Sequence, residues 1–101
     1  MLAVSRALAN GQLNSMDGIM ALRQTAGRGR LKRSWHTGEG HNLAVSFWVE
    51  MGAELLPPLP LAAALAVIDS LSCMGLSGQL GCKWPNDIKA QGKKICGILC
   101  Q

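Results

Sequence analysis

The stretch Gln79-Leu80-Gly81-Cys82-Lys83-Trp84-Pro85-Asn86-Asp87-Ile88-Lys89-Ala90-Gln91-Gly92-Lys93-Lys94-Ile95-Cys96-Gly97-Ile98-Leu99-Cys100 decides the fold class, because it reads as a chain that leaves along one strand and returns along another. Gln79 to Trp84 and Lys94 to Cys100 have strand character, and Lys89-Ala90-Gln91-Gly92 between them has the composition of a hairpin tip. Upstream, Pro57, Pro58 and Pro60 open a helix that runs to about Met74, with Gly75 as its stop. That helix is apolar almost all round, which predicts cover on most sides. Further upstream, Asn42 to Glu50 alternates, with Leu43, Val45, Phe47 and Val49 on one face and Ala44, Ser46 and Trp48 on the other. Both faces are largely apolar, so a central strand is expected. Ile19 to Arg23 reads as a short buried strand, and Leu2 to Ala9 as the end of a helix, stopped by Asn10-Gly11. Strands, one long helix and hairpin returns make an α+β protein whose helices lie on one sheet face.

A chain of 101 residues is at most one domain. Its hydrophobic share of 49% with 16% charged residues is that of a globular protein and excludes a disordered one. The formal net charge is +4, and Arg28, Arg30, Lys32 and Arg33 alone equal that excess. The basic balance is therefore local, pointing to an anionic ligand at one loop. The longest apolar run, Leu59 to Ile68, falls short of the roughly 20 residues a membrane helix needs. Cys73, Cys82, Cys96 and Cys100 form no CxxC pair and nothing before Arg6 has the length of a secretory signal, so reduced thiols and a cytoplasmic location are expected. No histidine stands near Cys96 and Cys100 to complete a zinc site.

Two clusters carry chemistry. In Gln24-Thr25-Ala26-Gly27-Arg28-Gly29-Arg30-Leu31-Lys32-Arg33-Ser34-Trp35, guanidinium forks suit phosphate oxygens, glycines let backbone N–H groups approach an anion, and an indole face suits a base. Lys83-Trp84-Pro85-Asn86-Asp87 and Lys93-Lys94-Ile95-Cys96-Gly97 add a carboxylate, an amide and more ammonium groups. Each also has an ordinary reading: the arginines as a solvated loop, Pro-Asn-Asp as a turn, Trp35 and Trp84 as core, and Gly97 as a bulge or close-packing position. For Trp84 the core reading is the stronger. His36 and His41 read as loop histidines.

In order and spacing, these blocks resemble the catalytic domain of biotin protein ligases. The matching residues are Gln24 to Arg30, Arg33 and Trp35, then Gly40, Asn42-Leu43 and Ser46, then Lys83 to Asp87, and Lys94 with Gly97-Ile98-Leu99. The resemblance implies a mixed, largely antiparallel sheet similar to that of class II aminoacyl-tRNA synthetases. It further implies activation of biotin by ATP as biotinyl-5'-adenylate and transfer to a lysine of a biotin carboxyl carrier domain of a carboxylase. Arg30 and Lys94 would then be catalytic. Gln24, Gly27, Arg28, Gly29, Lys94 and Gly97 would bind biotin, and Arg30, Arg33, Trp35, Asn86 and Asp87 would bind ATP or the adenylate. Asp87 would also hold Mg2+. A homodimer is a further expectation of the resemblance, and neither a membrane nor nucleic acid is an expected partner of this segment.

Two departures from the family pattern qualify it. Lys32 stands where the pattern has glycine, and if that position needs a positive φ, lysine costs on the order of 1 kcal/mol. The family's Ser-Thr-Asn strand and its Gly-x-Gly-x-Asn segment are also missing, so residues 1–101 are expected to form the central part of a catalytic domain. The readings left open are therefore a ligase, an inactive ligase fragment, and a basic-loop module for nucleic acid. Affinity that falls steeply with salt, without any response to biotin, would mark the last.

Overall fold

The computed structural model describes residues 2–76 and 78–101. Two compact units divide the chain, Met1–Met51 and Gly52–Gln101.

The first unit opens with helix α1, Leu2–Ala9. It stops where Asn10-Gly11 predicts, because Gly11 takes φ +67° and lets two donors turn back on the last carbonyls. The N–H of Gln12 donates to Ala7 O at 2.9 Å and that of Gly11 to Leu8 O at 3.0 Å. Strands β1, Gly18–Ala21, and β2, Ala44–Phe47, form an antiparallel pair in which Gly18 faces Phe47 and Met20 faces Val45. The pair is extended by Met16 N–H donating to Trp48 O at 2.7 Å and by Glu50 N–H donating to Ser15 Oγ at 3.1 Å. Gly18 lies under the Phe47 ring, since a Cβ there would stand 2.9 Å from Phe47 Cδ1.

Two expectations fail in this unit. β2 pairs with β1 alone among the described residues rather than lying at the centre of a sheet. The Ile19 to Arg23 strand ends at Ala21, and it is not buried: Met20 is 59% exposed and Leu22 84% exposed. Apolar side chains on both faces do not make a strand central; a backbone neighbour on each edge does.

The second unit is built from helix α2, Leu59–Cys73, and a three-stranded antiparallel sheet in the order β3, Leu80–Lys83, β4, Asp87–Ala90, and β5, Lys93–Gly97. Pro58 precedes the helix and Pro60 lies in its first turn, where a missing N–H costs no hydrogen bond. Gly75, at φ +95°, closes the other end as predicted, with Leu76 N–H on Leu71 O and Gly75 N–H on Ser72 O, both at 3.0 Å. α2 packs on β3 and β4, and Ala64 and Ile88 are wholly buried. Cover on most sides is not found: Leu61 is 37% exposed and Leu65 52% exposed. One helix over one sheet buries a single stripe, however apolar the rest.

The expected return of Gln79 to Trp84 directly on Lys94 to Cys100 is not found: β4 lies between β3 and β5, and the hairpin joins β4 to β5. Lys89 and Ala90 belong to the ladder, and the tip is Gln91-Gly92 alone, at φ +50° and +76°, the left-handed pair of a two-residue hairpin turn. Trp84, expected in the core, is 72% exposed, because it begins the turn Trp84 to Asn86 and so stands outside the ladder that α2 covers. The architecture is α+β with every strand pairing antiparallel.

Candidate functional site

The basic loop lies in the first unit. Its base is closed by Trp35 N–H donating to Gly27 O at 2.9 Å and Gly29 N–H donating to Arg33 O at 2.7 Å, with Arg28 bridged to Ser34. The result is a narrow ribbon tipped by a single 3-10 turn, Arg30–Lys32. Leu31 and Lys32 at that tip have φ of +56° and +60°. The condition set by the sequence is thus met: lysine occupies a left-handed position that glycine would take without strain. Gly27 has a different reason to be glycine, since a Cβ there would collide with the carbonyl oxygen of Trp35 and stand 3.0 Å from Gln24 Oε1. Gln24 and Trp35 are half-buried, whereas Arg28, Arg30, Lys32 and Arg33 are exposed and make no ion pair among the described residues. Four cations on so short a ribbon repel one another in water, and an oxyanion relieves that repulsion.

The second cluster lies on one face of the β3–β5 sheet. Strand alternation and register decide which side chains share it. Lys83 faces Asp87, Asp87 faces Gly97, and Lys89 faces Lys94, so Lys83, Asp87, Lys89, Lys94 and Gly97 share one face. Cys82, Ile88 and Cys96 share the other, the side buried against α2. Lys94 Nζ lies 2.8 Å from Asp87 Oδ1, with side chains 39% and 22% exposed. A pair this open to water contributes roughly 0.2–1 kcal/mol, so stability alone is a weak reason for it. Lys93 is exposed, opposite Ala90.

Asn86 is tied to the chain itself. Its Nδ2 donates to Ile98 O at 2.7 Å, and Ile98 N–H donates to Asn86 O at 2.8 Å. This double link continues the β4–β5 pairing past the strand ends and holds the turn that delivers Asp87. The amide oxygen is the part of Asn86 left for a ligand. Lys89, absent from the sequence-based site, shares the face through its register with Lys94. The signal was available as the residue two beyond Asp87, once that segment is read as a strand rather than a turn.

Burial raises the Cys96 thiol above its ordinary value of 9.0, with Lys94 pulling it down and Asp87 pushing it up, and burial alone raises Cys100. All four cysteines are free thiols. His36 and His41 are exposed loop residues. No group of three or more His, Cys, Asp or Glu side chains is placed to hold a metal ion among the described residues. The donor set therefore does not fit an ion held by protein ligands alone. An ion that brought most of its own ligands would ask the protein for only one or two oxygens, and the Asp87 carboxylate is of that kind.

Fold and site together define an α+β protein with two cationic elements suited to oxyanions, a glycine-arginine ribbon and a lysine-rich sheet face. Comparison with known proteins narrows that class. The chain matches the biotin/lipoate A/B protein ligase family over residues 4–101 and belongs to it. It is 40% identical over 95 residues to the bifunctional ligase/repressor BirA of Bacillus subtilis, covering 91% of this chain and 29% of that protein. It is 37% identical over 93 residues to the biotin–[acetyl-CoA-carboxylase] ligase of Mycobacterium tuberculosis, covering 85% and 35%. With biotin–protein ligase 2 of Arabidopsis thaliana it shares 42% over 83 residues, covering 76% and 25%. The chain thus spans about three tenths of the length of such relatives. No helix among the described residues is long and apolar enough to cross a membrane.

Proposed function

We propose that this chain carries part of the catalytic domain of an ATP-dependent biotin–protein ligase. The observation that carries the reading is Lys94, whose ammonium is held 2.8 Å from Asp87 on a sheet face that also bears Lys83 and Lys89. Family membership supplies the class of reaction.

A carboxylate is a poor acceptor for an amine because oxide would have to leave. In the proposed first step a biotin carboxylate oxygen attacks the α-phosphorus of ATP, an O–P bond forms, and pyrophosphate departs with the electrons of the bond that breaks. In the second, a lysine amine of the acceptor attacks the acyl carbon, AMP leaves, and the nitrogen loses a proton to give an amide. The first step brings two anions together, so its barrier falls mainly through fixed cations and orientation. Lys94 fits the place between carboxylate and α-phosphate. Arg28, Arg30 and Arg33 offer forked donors to carboxylate and phosphate oxygens, with Arg30 placed on the adenylate. Trp35 offers a ring face to adenine, Gln24 an amide to the biotin head group, and Gly97 a strand position without a side chain. Asp87, with the amide oxygen of Asn86, would hold a Mg2+ that accompanies ATP, and that ion would offset phosphate charge.

The test is calorimetric titration of biotin, with and without MgATP, into the purified chain and into Lys94→Ala. Binding that MgATP strengthens and the variant loses is the expected result. A folded chain that gives no heat with either would refute the ligase reading for this segment.

A further inference from the structure

The β4–β5 ladder is irregular between Ile88 and Lys89: Ile88 faces Cys96 but Lys89 faces Lys94, which leaves Ile95 as an extra residue on β5. In a regular ladder counted back from Gly97, Lys89 would face Ile95 and Ala90 would face Lys94. Alternation would then put Lys94 on the side of Ile88, the wholly buried side against which α2 packs. The bulge shifts it to the opposite side, where its ammonium meets Asp87 at 2.8 Å. There Lys89, directly across the ladder, carries a like charge that disfavours poses of Lys94 turned toward it, and Gly97 across from Asp87 adds no side chain in the way.

We propose that Asp87 is a positioning residue for Lys94, and that the Ile95 bulge is the device that brings Lys94 onto its face. The pair holds the ammonium in one place, so oxyanions arriving at it meet an oriented donor rather than a mobile side chain. This inference rests on the ligase reading for what the oxyanions are, but its geometry does not.

Two measurements on the full chain test it. The first is the NMR order of the Lys94 side-chain ammonium. It should exceed that of Lys93, fall in Asp87→Asn, and recover in part in Asp87→Glu. Deleting Ile95 restores a regular ladder with Lys94 still opposite Lys89, so the order should survive. Inserting an alanine between Ile88 and Lys89 gives Ile95 a partner and turns Lys94 toward α2, so the order should be lost; the Asp87 variants decide the matter if that insertion does not fold. The second is biotin calorimetry without nucleotide or Mg2+, where Asp87→Asn should bind about tenfold more weakly with the chain still folded and Asp87→Glu should regain part of the loss. Lys94 as mobile as Lys93 in the unaltered chain would overturn the proposal, as would full biotin affinity in Asp87→Asn. An ordered Lys94 in a chain that binds no biotin would instead sink the ligase reading, leave the pair a structural contact, and so overturn the positioning role too.

Discussion

At the scale of single residues, Lys32 is the one that works against its own conformation. Its φ of +60° places a Cβ where L-residues are strained by about 1 kcal/mol, and Leu31 beside it is in the same region. Lys32→Gly should therefore raise the unfolding midpoint of the chain in scanning calorimetry, whereas Lys32→Ala, which keeps the Cβ, should leave it near the starting value. The lysine also adds a fourth cation to the ribbon, so the glycine variant should hold polyphosphate anions less tightly even as it gains stability. Gly27 is the opposite case: its freedom from a side chain is enforced by the Trp35 carbonyl rather than by φ. The glycine of the family pattern raised a positive φ at Lys32 as a condition that the structure then met, but the packing under Gly27 involves Trp35, eight positions away, and no local pattern announces it.

At the scale of elements, the second unit depends on the contact between α2 and the sheet, centred on Ile88 and Ala64. Ile88→Ala removes the largest wholly buried side chain and should cost about 2–5 kcal/mol, read as a lowered midpoint in urea unfolding. Helix ends were legible because glycine at a left-handed position is a strong local signal, and Gly11 and Gly75 both take it. Strand β4 was not legible, since Asp87-Ile88-Lys89-Ala90 presents one large apolar residue among polar and small ones and follows a turn-forming Pro-Asn. It is a strand because β3 and β5 flank it and the Asn86–Ile98 link fixes its start.

At the scale of the whole molecule, charge and pH act together. Burial lifts the Cys96 and Cys100 thiols above 9.0, so the folded chain holds those protons more tightly than the unfolded one. Their contribution to stability is therefore complete below the unfolded value and is lost as pH rises through the raised folded values. Alkylation of Cys96 and Cys100 at pH 8 should accordingly lag behind an unstructured cysteine peptide, with the gap closing in urea; equal rates would show that neither thiol is shielded. The four free cations of the ribbon equal in number this chain's net charge of +4, and they attract anions in general, which is why biotin rather than a polyanion is the deciding ligand.

Local order in the sequence determined the helix ends, the place of the hairpin tip, the glycine-arginine loop and the family, because each rests on residue types at fixed short spacings. Tertiary structure alone decided what those spacings leave open. Whether a strand is central depends on its neighbours, as the lone β1–β2 pair shows. Whether an apolar helix is covered depends on what is there to cover it, as Leu61 and Leu65 show. The face on which Lys94 stands depends on one extra residue in a ladder, since a single-residue shift inverts every side chain before it, and that count exists only once β4 and β5 are paired.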